Sequence, residues 1–337
     1  MKLSVTSALI ASFILMFSAC TSSTNQSGNY IVYSASSDDT KVNLYLVDIK
    51  SGDKKQLTNM KYANYPSWSS DGKKIVFSSS DGLYFIDENP INLTKIIDTP
   101  NFEIDPIWSP DGSRIAFISQ HLDDQSLYDL MIVNVDGTGL ITIARNLGEP
   151  DNSSSFSWSP DGKKIALSHP FEESREIVVV NADGSGLTQV TNLSSPSYSP
   201  PIQPSWSPDG KKIAFVTWDL YIVNADGTGL AKLTEKDKKG FSALTAPRWS
   251  PNGRYIACRN GDNIILVNLV NGQVTTINGK YPIADYSWSS RGDNLAYFIH
   301  NGNGTLNIET INVNSMQKTQ VAKDLGFYPW QSLEWQP

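Results

Sequence analysis

Three histidines, two cysteines and 34 carboxylates are the groups with which this 337-residue chain could do acid–base, nucleophilic or metal chemistry. His121, His169 and His300 each end or follow a short apolar, β-branched run, so all three should point to one end of the same kind of strand. A metal centre would need them within a few ångströms of one another. His300 lies far along the chain from the other two, so a three-histidine centre is not expected, and neither is any cofactor. Paired carboxylates for glycoside hydrolysis need a separation of about 5–10 Å, and the sequence offers many aspartates without selecting a pair. The DGTG and DGSG stretches follow one strand and precede another, so they are turns rather than phosphate cradles. No P-loop, dinucleotide fingerprint or G-x-S-x-G nucleophile turn is present.

The elements that would position any such groups repeat. The units read WSSDGKKIVF from Trp68, WSPDGSRIAF from Trp108, WSPDGKKIAL from Trp158, WSPDGKKIAF from Trp206, WSPNGRYIAC from Trp249 and WSSRGDNLAY from Trp288. A period of about 40–50 residues of strands and turns marks the blades of a β-propeller. Within a unit, QPSWS is extended, SPDG is a tight turn, KKIAFVT and DLYIVN are strands, ADGTG is a second turn and LAKLT closes. These four antiparallel strands are labelled A to D. A lone four-stranded sheet leaves both faces wet, so the tryptophans are expected to pack between blades.

Each strand type occurs seven times, but the first B strand, NYIVYS from Asn29, precedes any A strand. The tally balances only if SLEWQP, around Trp335, supplies the missing A strand of the first blade. The expectation is an all-β, seven-bladed propeller over residues 29–337, its sheet edge closed by the C-terminal strand. A six-bladed ring is the alternative, if a degenerate first or last unit pairs differently.

WSPDGKKIAF followed by a strand and NADGTGLAKLT resembles the WD-repeat-like units of the TolB-type propeller family, over roughly residues 29–337. The resemblance implies the fold more than any one function. The family's namesake carries a separate N-terminal domain before a six-bladed propeller that binds a lipoprotein and colicin peptides. Here about ten residues separate Cys20 from the first strand, too few for such a domain, so the likeness is to the propeller alone. Seven-bladed propeller lyases acting on uronic-acid sugars use histidines and a metal on their loop face, and no match to their specific residues is found.

Residues 1–19 read as a secretion signal, with Lys2, the apolar stretch ALIASFILMF and then FSAC. Ser18 and Ala19 before Cys20 resemble the lipobox of bacterial lipoproteins, with Phe17 where leucine is usual. Lipidation of Cys20 is expected, with residues 20–28 as a flexible tether. The protein would then be secreted across the cytoplasmic membrane and anchored in the cell envelope, facing the periplasm from the outer membrane in a Gram-negative host. No disulfide is expected, and Cys258 reads as a small buried hydrophobe.

The net charge of −7 and the lack of a basic stripe argue against nucleic acid as partner. Lys-Lys pairs recur beside the A–B turn at 73–74, 163–164 and 211–212, forming a ring on one face. The A–B and C–D turns share that face. The D–A and B–C connections vary widely and share the other, where binding surfaces tend to reside. That loop face carries Tyr62, Tyr65, Phe102, Tyr198, Phe241, Tyr281, Phe327, Tyr328 and Trp330, interleaved with Glu103, Asp105, Glu149, Asp151 and Asp285. The residue three before each tryptophan should sit near the channel mouth: Tyr65, Asp105, Ser155, Gln203, Ala246, Asp285 and Ser332. The expected ligand site is Tyr65, Asp105, Gln203, Asp285, Tyr328 and Trp330. Its expected partner is an envelope protein or peptide bound without catalysis. A glycan, bound or cleaved, is the alternative.

Overall fold

A computed structural model describes residues 28–38, 41–87, 92–148, 156–171, 174–193, 202–235, 244–279, 283–302, 304–326 and 332–337. They form 28 strands in seven four-stranded antiparallel sheets. The innermost, A strands are β4 (Ala63–Trp68), β8 (Phe102–Trp108), β12 (Phe156–Trp158), β16 (Ile202–Trp206), β20 (Thr245–Trp249), β24 (Ile283–Trp288) and β28 (Leu333–Trp335). Blade 1 is built from both ends of the described chain. There β28 pairs with β1 (Tyr30–Asp38), setting Ile31 opposite Trp335 and Tyr33 opposite Leu333. Blades 2 to 7 each take four consecutive strands. The ring is therefore seven-bladed and closed by the C-terminal strand, and the six-bladed alternative is excluded.

The repeated turn has a local cause. In blade 5, Ser207 Oγ donates to Asp209 Oδ1 at 2.6 Å, and the Lys211 amide donates to the same oxygen at 3.1 Å. The Lys212 amide closes the loop on Ser207 Oγ at 2.9 Å. Gly210 sits at φ +70°, a conformation that other residues rarely adopt. The same Ser–Asp link recurs in blades 2, 3 and 4 at 2.6–2.7 Å.

Each tryptophan packs on the blade before its own. Trp206 lies with Ile177, Val179, Val190 and Leu193 of blade 4, and Trp335 with Phe298, Leu306 and Ile308 of blade 7. Three indoles also donate Nε1–H to a backbone carbonyl of that earlier blade, Trp108 to Ser67, Trp158 to Ile107 and Trp288 to Arg248, while Trp335 donates to Gly28 at the entry to its own blade. A second set of links runs beside them. The side chain just before one tryptophan accepts the backbone N–H of the tryptophan in the next blade. Ser157 takes Trp206 at 3.2 Å, Ser205 takes Trp249 at 3.4 Å, Ser287 takes Trp335 at 3.1 Å, and Glu334 takes Trp68 across the closure. Cys258 is fully buried in this core, and burial pushes its thiol pKa up.

Candidate functional site: the channel mouth

The A strands run around the central axis, and each carries an irregularity near its loop-face end. Register shifts fall three residues or so before the tryptophan in blades 2, 3, 5, 6 and 7. At Tyr65, Asp105, Gln203 and Ala246 the backbone takes φ between +49° and +56°. A β-bulge re-aims side chains in this way, and left-handed non-glycine residues cost of order 1–3 kcal/mol each.

The bulges turn charged groups toward the axis. Arg248 of β20 reaches across the blade boundary, its Nη2 lying 3.0 Å from Asp285 Oδ1 of β24. Its guanidinium carbon stands 4.9 Å from the centre of the Tyr286 ring. The other Asp285 oxygen accepts the Leu333 amide at 3.1 Å. Glu334 of β28 lies within electrostatic reach of both Arg248 and Asp285. Asp105 enters from β8 in blade 3, across the ring from blades 6 and 7, and interacts electrostatically with Asp285 and Arg248. One guanidinium thus faces three carboxylates.

Burial pushes Asp105 up to about 7, the negative charge of Asp285 adds to this, and Arg248 opposes it. Burial likewise raises Glu334 to about 7, against the Trp68 amide and Arg248. Asp105 is half-buried rather than fully enclosed. Burial disfavours the charge of Arg248, but Asp285 and the neighbouring anionic groups outweigh it and raise its pKa.

Of the expected ligand residues, Asp105 and Asp285 come together in this cluster. Tyr65 stands half-buried on the bulge of blade 2. Gln203 is only 4% exposed, and its Oε1 accepts the Ala246 amide at 2.5 Å, which ties blade 5 to blade 6. Tyr328 and Trp330 lie outside the described residues, as do Ser155, Tyr198, Phe241, Tyr281, Phe327, Glu149, Asp151 and Cys20. Tyr62 and Phe102 pack on each other at 5.7 Å between blades 2 and 3. Glu103 does not join the rim: it is fully buried and accepts the Thr99 hydroxyl.

Arg248 and Glu334 join the site without having been expected there. Their signal is in the repeat, because the position before the tryptophan is serine in four copies and departs from it as Ile107, Arg248 and Glu334. Trp218 was also missed. It is 42% exposed and tops the B–C turn of blade 5, between β17 (Lys212–Val216) and β18 (Leu220–Asn224).

The histidines belong to blades 3, 4 and 7 and do not converge. His121 Nε2 instead meets Asp129 Oδ2 at 3.2 Å, an oxygen that Arg145 also approaches at 3.2 Å. Among the described residues no group of three or more His, Cys, Asp and Glu side chains is arranged to hold a metal ion.

TolB from Acinetobacter baumannii has a similar fold, with a TM-score of 0.57 at 15% identity over 92% of this chain and 83% of that one. So has an oligogalacturonate lyase from Vibrio parahaemolyticus, with a TM-score of 0.66 at 15% identity over 83% and 85%. The Tol-Pal system protein TolB of Francisella tularensis subsp. tularensis is 35% identical over 83 residues, which cover 23% of this chain and 19% of that protein. The chain spans less than half the length of the curated relatives it matches. The model of the TolB beta propeller domain matches residues 8–201 and 114–327, and with seven blades of the corresponding repeat on view, the chain belongs to that family.

Proposed function

We propose that this propeller is a non-catalytic binding module of the cell envelope, anchored through lipid on Cys20, which captures a protein or peptide partner at the loop face and channel mouth. The observation that carries the reading is the set of Asp105, Arg248, Asp285 and Glu334 on the inner strands, on a ring whose loop face also carries the half-buried Tyr65 and the exposed Trp218. A rigid ring holds these groups in place before the partner arrives, which lowers the ordering cost of binding. Aromatic side chains on the same face as a charge cluster suit the anchor-and-rim pattern of protein interfaces. The Tol-Pal relative and the TolB neighbour support a protein partner. The lyase neighbour supports the alternative of a glycan at the same face.

Capture from solubilised envelope, comparing the protein with a Tyr65→Ala/Trp218→Ala variant, tests the reading. A discrete protein retained by the first and lost by the second is the expected result. Retention of polysaccharide in place of protein moves the assignment to glycan binding. Equal capture by both forms removes the site from the loop face.

A further inference from the structure

The closure of blade 1 fixes where the N-terminal segment leaves the propeller. Its A strand is β28 and its B strand is β1, so the A–B turn of this blade is replaced by the two ends of the described chain. The Gly28 carbonyl accepts Trp335 Nε1–H at 2.9 Å, and a Cβ on Gly28 would lie 3.7 Å from Ser290 Oγ in the A–B turn of blade 7. Residues 1–27 therefore join the propeller on the A–B turn face, opposite the loop face.

The reach of this segment limits which face can meet the membrane. Eight residues run from Cys20 to Gly28. Fully extended they span about 28 Å, and as a flexible coil about 16 Å. The loop face stands one strand further off, since the nine residues of β1 rise about 30 Å. A tether held at Cys20 cannot pass around the molecule and bring the loop face to the same membrane.

The face that remains near the membrane carries its own signal. Lys73, Lys163, Lys211, Arg254 and Arg291 are exposed, one each in the A–B turns of blades 2, 4, 5, 6 and 7. The six A–B turns, taken with the first residue of each B strand that follows, hold nine basic and five acidic residues, in a chain of net charge −7. All five acids, Asp71, Asp111, Asp161, Asp209 and Asp293, are engaged by serine hydroxyls of their own turns. Asp136, Asp183 and Asp226 lie in the outer C–D turns of blades 3, 4 and 5, so in these blades that acidic charge stands outside the A–B ring.

We infer that the A–B turn face is apposed to an anionic lipid surface, with these five cations against its headgroups and the loop face presented away from the membrane. This rests on the lipidation in the proposed function and adds the orientation in which the partner is met.

The test uses the full chain, purified from the envelope of an expressing bacterium and returned to vesicles of phosphatidylcholine with or without phosphatidylglycerol. A fluorophore is placed at Ser290→Cys or at Trp218→Cys, while Cys258 is buried and stays unlabelled. Quenching by a headgroup nitroxide lipid should be strong at position 290 and weak at 218. Replacing Lys73, Lys163, Lys211 and Arg254 by Gln should weaken apposition to anionic vesicles by about fivefold per charge and leave neutral vesicles unaffected. Equal or stronger quenching at 218, no effect of the charge variant, or a Cys20 without acyl mass each overturns the inference. Partner capture is measured separately in detergent, so loss of capture bears on the proposed function and not on the orientation.

Discussion

Asp105→Asn should stabilise the propeller above neutral pH and do little in acid. Folding raises the carboxyl from its ordinary 3.8 to about 7, through burial first and the charge of Asp285 second. Between those values the folded protein holds a proton that the unfolded chain has released. Raising the pH through that window therefore costs stability progressively, and above about 7 the penalty is constant. A displacement of that size corresponds to a ceiling of about 4 kcal/mol. The side chain is only half-buried, and solvent screening brings the expected gain nearer ~1–2 kcal/mol. Asn fills the same space without the charge. Urea unfolding of both proteins at about pH 4 and about pH 8 reads the effect: the variant should match the parent in acid and exceed it in base. A variant no more stable than the parent at the higher pH would refute the placement of Asp105 among like charges.

The remaining predictions use the same fold. Arg248→Met leaves Asp285 and its neighbours without their cation and should cost ~2–4 kcal/mol near neutral pH; Asp105→Asn in the same chain should recover part of that loss, and strict additivity in a double-mutant cycle would deny the coupling. Trp206→Ala opens a cavity between blades 4 and 5 and should cost ~3–5 kcal/mol, so an unchanged melting temperature would contradict its place in that core. Ser205→Ala removes the acceptor for the Trp249 amide and should cost ~0.5–1.5 kcal/mol by denaturant unfolding. Removing residues 324–337 deletes β28 and exposes the inner edge of β1; it should abolish the cooperative transition seen by circular dichroism, whereas survival of that transition would mean the ring does not depend on its closure.

The architecture was legible because a propeller repeats its instructions. Tryptophan, the Ser-Pro-Asp-Gly turn and the following alternation occur together often enough to count blades. The mismatch between seven A strands and the position of the first B strand implied the closure. Of the charge cluster on the inner strands, only two positions were legible. Asp105 and Asp285 were found by a fixed offset from the tryptophan, since the offset falls on a bulge that faces the axis. The same offset also selected Gln203, whose side chain turns to the neighbouring blade and serves as a link. An offset specifies where a Cα sits, whereas the partner of its side chain depends on which amide the next blade offers. Glu103 shows the same limit, because a shift of two residues separates a rim carboxylate from one packed against Thr99.

The departures from the repeat carry more information than the repeat itself. Before the tryptophan, a serine can accept the next blade's amide, and Ser157, Ser205 and Ser287 do so. Glu334 accepts the same kind of amide but brings a carboxylate that burial disfavours. Arg248 has no acceptor atom at all, so it cannot make this link to the Trp288 amide. A serine at either position could make the link with less electrostatic cost. Stability alone therefore does not account for these two residues. They lie in the sixth and first blades, within electrostatic reach of each other and of Asp285 in the seventh. Where local rules are broken together in one place, the usual reason is a functional demand on that place, and here that place is the channel that the seven A strands surround.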